Sequence, residues 1–274
     1  MMHAASRESY KAAVERLEAY TRGAQPQAVA ATADGVLSVA DLLRREVRLR
    51  RALSDPARSG EDRAGLLGTM LRGKLDEQAL DLTSTLVASR WSAPSELLDG
   101  TERLGVEALL ASADATGDLG EVEDELFRFG QLVAGQPQLA TVLTDPIAPL
   151  AQRAGLVREL LVGKAHPVTV RLIEVALSGF GGRSFSGALT RLVELTADRR
   201  DRQVAYVTVA APLDDAEEQR LGARLAELYG RQVDIKQTVA PEILGGMSVR
   251  VGSDLYDGTI LRRLNETRNA FAKR

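Results

Sequence analysis

Leu53-Ser54-Asp55-Pro56 returns as Leu143-Thr144-Asp145-Pro146, an offset of 145 against 55, or 90 residues. The same offset lays Arg63-Ala64-Gly65-Leu66-Leu67 on Arg153-Ala154-Gly155-Leu156-Val157, and Gly73-Lys74 on Gly163-Lys164. Three ungapped matches in one register point to an internal duplication. The unit is longer than the roughly 20–50 residues of a solenoid repeat and has the size of a small domain. Duplicated helical modules multiply binding surfaces more readily than active sites.

Working outward from that repeat, residues 6 to about 202 read as successive helices. Tyr10, Val14 and Leu17 form one apolar stripe at helical spacing, and Val36, Val39, Leu42 or Leu43, and Val47 form a second that stops at Asp55-Pro56. Ser59-Gly60-Glu61-Asp62 has the form of a capping box opening the next helix, and Asp76 to Ser89 follows with Ala79, Leu82 and Leu86 on one face. The second copy runs in parallel through 122–133, 137–143, 150–161, 168–177 and 189–195. The segment from Ser95 to about Ala113 fits two roles. It aligns with the first helix of copy one, Glu107-Ala108 falling under Leu17-Glu18, yet it also sits where copy two has its last helix. The pattern leaves open whether one helix closes the first bundle and opens the second.

At Val204 the hydrophobic period changes from 3.6 to 2, which predicts a strand. A helix capped by Asp214 and Glu217 follows, with Leu221, Leu225, Leu228 and Tyr229 on its apolar face and Gly230 at its end. Strands are expected from Val233 and from Gly246, and a last helix from about Asp257 to Phe271. The expected fold is therefore mainly α: two tandem helical bundles, then a small α+β domain. The expected boundaries are 1–98, 99–202 and 203–274, with Arg199-Arg200-Asp201-Arg202 as the hinge before the last.

Composition excludes several chemistries. The chain lacks cysteine, so disulfides, thiolate metal sites and cysteine nucleophiles are absent together. Lys+Arg 35 against Asp+Glu 38 gives a net charge of −3, which argues against a chain built for nucleic-acid binding. No signal peptide or membrane span is read. Gly68 to Lys74 satisfies the glycine and lysine positions of a P-loop, but Leu75 stands where Mg²⁺ needs a hydroxyl and no strand precedes it. A helix ending at Gly73 is the better account. His3 and His166 lack ligand spacing, and no catalytic, metal or cofactor site is expected. Gly245-Gly246 precedes a strand and reads as a tight turn, not a phosphate loop. Trp91 reads as a packing residue of the first bundle. Arg44, Arg45, Arg48, Arg50 and Arg51 read as a solvated helix face, with an acidic protein partner as the alternative and nucleic acid behind both.

The run Val233-Asp234-Ile235-Lys236-Gln237-Thr238-Val239-Ala240-Pro241-Glu242-Ile243-Leu244-Gly245-Gly246-Met247-Ser248-Val249-Arg250-Val251-Gly252 resembles the signature of the δ subunit of F-type ATP synthase. That family is the bacterial relative of the mitochondrial oligomycin-sensitivity-conferring protein. Asp254-Leu255-Tyr256-Asp257-Gly258-Thr259-Ile260, leading into Leu264, resembles the family's ending, and Tyr10-Lys11-Ala12-Ala13-Val14 its first helix. The chain departs from the family pattern at Ala240, where an acidic or polar residue is common, and in carrying nearly two helical bundles where one is usual.

The resemblance implies a non-catalytic stator subunit, peripheral at the cytoplasmic face of the cell membrane and without membrane insertion of its own. Its helical part is expected to bind N-terminal helices of α subunits, with a further contact to β allowed, and its C-terminal part the b subunits of the peripheral stalk. Together these hold the head against rotary torque. By resemblance the α-subunit groove lies between the first and fifth helices, at Tyr10, Ala13, Val14, Leu17, Ala79, Leu82 and Leu86. The apolar surplus of the C-terminal helices, Leu225, Leu228, Tyr229, Ile260, Leu261, Leu264 and Phe271, is expected to meet the b subunits. The rival reading is a helical regulatory adaptor using the arginine run.

Overall fold

The computed structural model describes residues 3–200, 202–230, 232–241, 243, 245–252 and 254–258. The chain divides into two compact units, Met1–Leu192 and Val193–Arg274. The first is built of α-helices: α1 (Ala4–Thr21), α2 (Pro26–Arg45), α3 (Val47–Leu53), α4 (Gly60–Leu71), α5 (Glu77–Ala88), α6 (Pro94–Asp114), α7 (Leu119–Gly135), α8 (Pro137–Thr144), α9 (Leu150–Leu161) and α10 (Pro167–Leu177). A short 3-10 turn, Phe180–Gly182, leads into α11 (Phe185–Arg199), which spans the division between the units.

The repeat is visible in the helix starts. Residues 94, 137, 150 and 167 open α6, α8, α9 and α10, each 90 positions after 4, 47, 60 and 77, which open α1, α3, α4 and α5. At this offset α6 is at once the sixth helix of the first copy and the counterpart of α1 in the second. Its packing follows from that double position. It lies against α1, α2, α3 and α5 on the one hand and against α7, α10 and the 3-10 turn on the other. Leu97, Gly100, Leu104, Ala108 and Ala111 are buried, but so are Thr101, Gly105, Val106, Leu109, Leu110 and Ala113, so only a narrow line through Ser95, Asp99, Arg103 and Glu107 reaches water. A helix buried over most of its circumference belongs to the middle of a core more than to its surface.

The repeated turns use the same local devices. Asp55 Oδ1 accepts the Ala57 amide at 2.9 Å, and Asp145 Oδ1 accepts the Ile147 amide at 2.8 Å. Each is an Asx turn closed around a proline. Gly73 and Gly163 follow α4 and α9 with φ of 78° and 66°, a left-handed conformation that side chains resist. The copies differ at the arginine after each turn. Arg63, 3% exposed, uses all five guanidinium donors. Nε donates to Val87 O, Nη1 to Asp55 O and Arg58 O, and Nη2 to Ala88 O and Ser89 O. Three of those carbonyls sit at the end of α5, where the helix dipole is negative and no acid is needed to hold the cation. Arg153 donates only from Nη1, to Leu143 O and Leu177 O, and its buried Nε has no partner.

The second unit carries β1 (Arg202–Val209), α12 (Asp215–Tyr229), β2 (Gln232–Val239), β3 (Met247–Val251) and β4 (Asp254–Asp257). The sheet order is β2-β1-β3-β4. β1 and β2 are parallel around the α12 crossover, while β3 runs antiparallel to β1, and β4 to β3. Ala205, Val207, Val209, Val249 and Val251 form the buried sheet face with Leu225 of α12, and Leu221, Val233, Ile235 and Met247 pack around them. The predicted capping box is present: Asp214 Oδ1 accepts the Glu217 amide at 2.7 Å and Glu217 Oε2 accepts the Asp214 amide at 3.1 Å. Gly245 and Gly246 have φ of 139° and 82°, as a tight turn before β3 requires. Two expectations are corrected here. A fourth strand, β4, was not foreseen, and Asp257 belongs to it and not to a helix. The rest of the expected last helix lies outside the described residues.

Candidate functional site

The walls of the predicted groove are α1 and α5. Asp76 starts α5 by accepting the Ala79 amide at 2.9 Å, and Thr32 of α2 donates to the same oxygen at 3.1 Å. Ala13, Leu17, Ala79, Leu82 and Leu86 are fully buried, and Tyr10 nearly so. Val14 alone among the seven is partly exposed. The inward face of α1 is thus Ser6, Ser9, Tyr10, Ala13 and Leu17, turned about one position from the stripe read through Val14. The chosen residues are the interlock between the helices. An ion pair, Arg16 to Asp81, straps α1 to α5, while Val14, two residues earlier and so roughly 200° around the helix, is partly exposed on the other flank of the buried face.

α1 is seated at its start by Glu96 of α6. Glu96 accepts the His3 amide at 3.0 Å, His3 Nδ1 at 2.7 Å and the Ser6 hydroxyl. Burial pushes the Glu96 pKa up, but the Ser6 and His3 donors outweigh it and hold the carboxyl below its usual value. Farther along, the Arg103 guanidinium lies 4.9 Å from the Tyr10 ring centroid. Among the described residues the buried Tyr10 hydroxyl has no hydrogen-bond partner, and burial raises its pKa.

The corresponding helices of the second copy, α6 and α10, face α2. Arg171 of α10 reaches Asp34 of α2 at 2.6 and 2.8 Å and also pairs with Glu174. Glu174, itself buried, takes Arg158 of α9 at 2.5 Å. Glu102 of α6 is buried between Arg44, at 2.5 Å, and the Gly181 amide, at 2.9 Å. Between α2, α9 and α10 lies a cavity of about 430 Å³ with apolar walls at Leu37, Ala40, Leu150, Ala154 and Val175, rimmed by these charges.

The arginine run is therefore divided in its roles. Arg44 holds Glu102 and Asp41, and Arg50 Nη1 donates to Leu43 O at 3.1 Å, while Arg45, Arg48 and Arg51 are exposed. Trp91 is buried and donates from Nε1 to Leu86 O at 2.7 Å, a packing residue as read. The P-loop-like residues run from α4 into the turn at Gly73. His166 caps α10, its Nδ1 accepting the Val168 amide at 3.2 Å, with Asp118 3.4 Å from Nε2. Sequence reasoning missed these carboxylate neighbours of both histidines because they lie far along the chain, Glu96 in α6 and Asp118 just before α7. Among the described residues no cluster of acidic, histidine or cysteine side chains could hold a metal ion, and no helix is long and apolar enough to cross a membrane.

In the second unit, Leu225 belongs to the core, whereas Leu228 is 62% exposed. Tyr229 packs at the edge of that core and donates its hydroxyl to Asp254 at 2.9 Å, with Tyr256 Oη 3.1 Å away. The hydrogen bond with Tyr256, ahead of burial and Asp254, pushes the Tyr229 pKa up. Leu255 and Tyr256, on the edge strand β4, are exposed as well. Ile260, Leu261, Leu264 and Phe271 lie outside the described residues.

Residues 106–271 match the family described as ATP synthase delta (OSCP) subunit. A protein of Salinispora arenicola described as ATP synthase subunit delta is 74% identical, with all of both chains covered. One of the same description from Streptomyces griseus is 47% identical, covering 99% of this chain and 100% of its own. Among solved structures, a chain of the Toxoplasma gondii mitochondrial ATP synthase hexamer aligns with 61% of this chain and 94% of its own at 16% identity. Its TM-score of 0.38 is too low to carry an argument.

Proposed function

The chain belongs to the ATP synthase delta (OSCP) subunit family, and from that premise we propose how its surfaces are used. As a family member it is a non-catalytic stator component of the ATP synthase complex. The helical unit binds an α-subunit N-terminal helix along α1 and α5, and the C-terminal unit grips the b subunits of the peripheral stalk. In domain terms, 1–98 and 99–202 are the two bundle copies and 203–274 is the stalk-binding part. The assembly places the chain at the cytoplasmic face of the cell membrane.

The observation that carries the α-subunit reading is the construction of α1 and α5. Their interlock is buried, so the pair keeps its shape without a partner, while Val14 of α1 stays partly exposed. An amphipathic helix laid along such a pair buries its apolar face on a preformed surface. For the stalk, Leu228 and the residues after 258 are the contact, with Leu225 and Tyr229 supporting them from the core. The adaptor reading is not favoured, since Arg44 and Arg50 are engaged within the fold.

The test is binding of a peptide from the α-subunit N-terminus. Val14→Asp should weaken it at least tenfold with helicity unchanged, because a desolvated carboxylate would face the apolar side of the ligand. Loss of helicity together with binding would make Val14 a core position instead. Removal of 259–274, which spares β4, should abolish capture of b subunits and leave the α peptide bound.

A further inference from the structure

We infer that α2 fills, within the same chain, the groove of the second copy that corresponds to α1 and α5, so that a partner helix is offered one such groove and not two. The inference rests on the reading of α1 and α5 as the α-subunit groove and settles its number. Two observations carry it.

The first is the changed character of the equivalent helix face. In α1, Arg7, Glu8, Lys11 and Glu15 are exposed. Ninety positions on, α6 carries Leu97, Leu98, Thr101 and Gly105, of which only Leu98 is not fully buried. The contact is tight enough to require the glycine: a Cβ on Gly105 would lie 2.6 Å from Leu37 Cγ of α2. A face that is polar and wet in the first copy is apolar, small and covered in the second.

The second observation is the rerouted strap. In the first copy Arg16 of α1 pairs with Asp81 of α5 across the groove. Their counterparts are Val106 and Arg171, which cannot pair with each other. Arg171 instead pairs with Asp34 of α2. The strap that joins the two groove walls in the first copy thus joins one wall to a third helix in the second. α2 thus packs along one wall, α6, and is tied to the other, α10, by this pair.

Isothermal titration of the full-length chain with an α-subunit N-terminal peptide should give one site, and Val14→Asp should weaken it at least tenfold. A stoichiometry of two would overturn the inference, as would one site surviving Val14→Asp and lost on Arg171→Glu. No binding, or binding indifferent to Val14→Asp with Arg171 irrelevant, would instead remove the α1/α5 reading and the stoichiometry with it. A peptide-free measurement separates these. Asp34→Arg should reduce amide exchange protection along α2 about fivefold, and the swap Asp34→Arg with Arg171→Asp should restore it. Unchanged protection in Asp34→Arg would overturn the occupancy of this groove by α2.

Discussion

Replacing Arg63 by Met should destabilise the helical unit far more than replacing Arg153 by Met, although the two arginines hold equivalent positions. Arg63 is 3% exposed and satisfies five backbone carbonyls, of Asp55, Arg58, Val87, Ala88 and Ser89. Hydrogen bonds from a charged donor contribute roughly 1.5–3 kcal/mol each, so a simple sum for five would pass 7 kcal/mol. Removing the cation also removes the cost of burying it, several kcal/mol. The net loss should therefore be about 3–5 kcal/mol, most of it from carbonyls left buried and unpaired. Arg153 makes two such bonds, one of them long at 3.4 Å, and already carries an unpaired Nε. Its loss should cost about 1–2 kcal/mol. Urea denaturation of each variant followed by helical circular dichroism gives both numbers. In a unit of this size each kcal/mol moves the melting midpoint by roughly 2–4 °C. An equal or larger effect for Arg153→Met would refute the argument that the carbonyl clamp, and not the position in the repeat, sets the stability.

Tyr10→Phe should stabilise the chain by about 1 kcal/mol, since it deletes a buried hydroxyl that has no partner; a destabilised variant in thermal melts would show that a partner had been lost. Glu96 has a folded pKa below its usual 4.5, so its contribution is complete above that value and disappears as pH falls through the lower folded one. Glu96→Gln should accordingly flatten the acid limb of a stability–pH profile below about pH 4.5, and an unchanged limb would mean that Glu96 contributes nothing there. Gly155→Ala, with open space around it, should stabilise α9 by about 0.5–1 kcal/mol, whereas Gly105→Ala, against Leu37, should cost about 1–2 kcal/mol. The two effects having the same sign in urea titrations would contradict the close packing of α6 on α2.

Much of the architecture was legible because it is encoded locally. Asp-Pro turns, the Ser59 and Asp214 caps, and the glycines after α4, α9 and α12 act over three or four residues, so their spacing can be read directly. What was not legible depends on partners far along the chain. Asp254 to Asp257 is a strand because β3 supplies its ladder; its own residues, with exposed Leu255 and Tyr256, show no half-buried alternation. Val14 looked inward because apolar spacing alone cannot distinguish it from Ala13, whose small side chain lets α1 approach its neighbours. Arg63 lay inside the repeated motif, but nothing local marks an arginine whose acceptors lie at the end of another helix. The arginine run misled in the same way, since Glu102, which holds Arg44, is 58 residues away.

The double position of α6 has a mechanical consequence. Compliances in series add, so in tandem modules the connecting linker, being softest, absorbs most of an applied displacement. Here the connection is a 21-residue helix about 32 Å long, enclosed by both copies. Among the described residues the copies are joined through this shared helix and not through a separate linker. A load entering at α1 meets, at this point, the bending stiffness of a packed core.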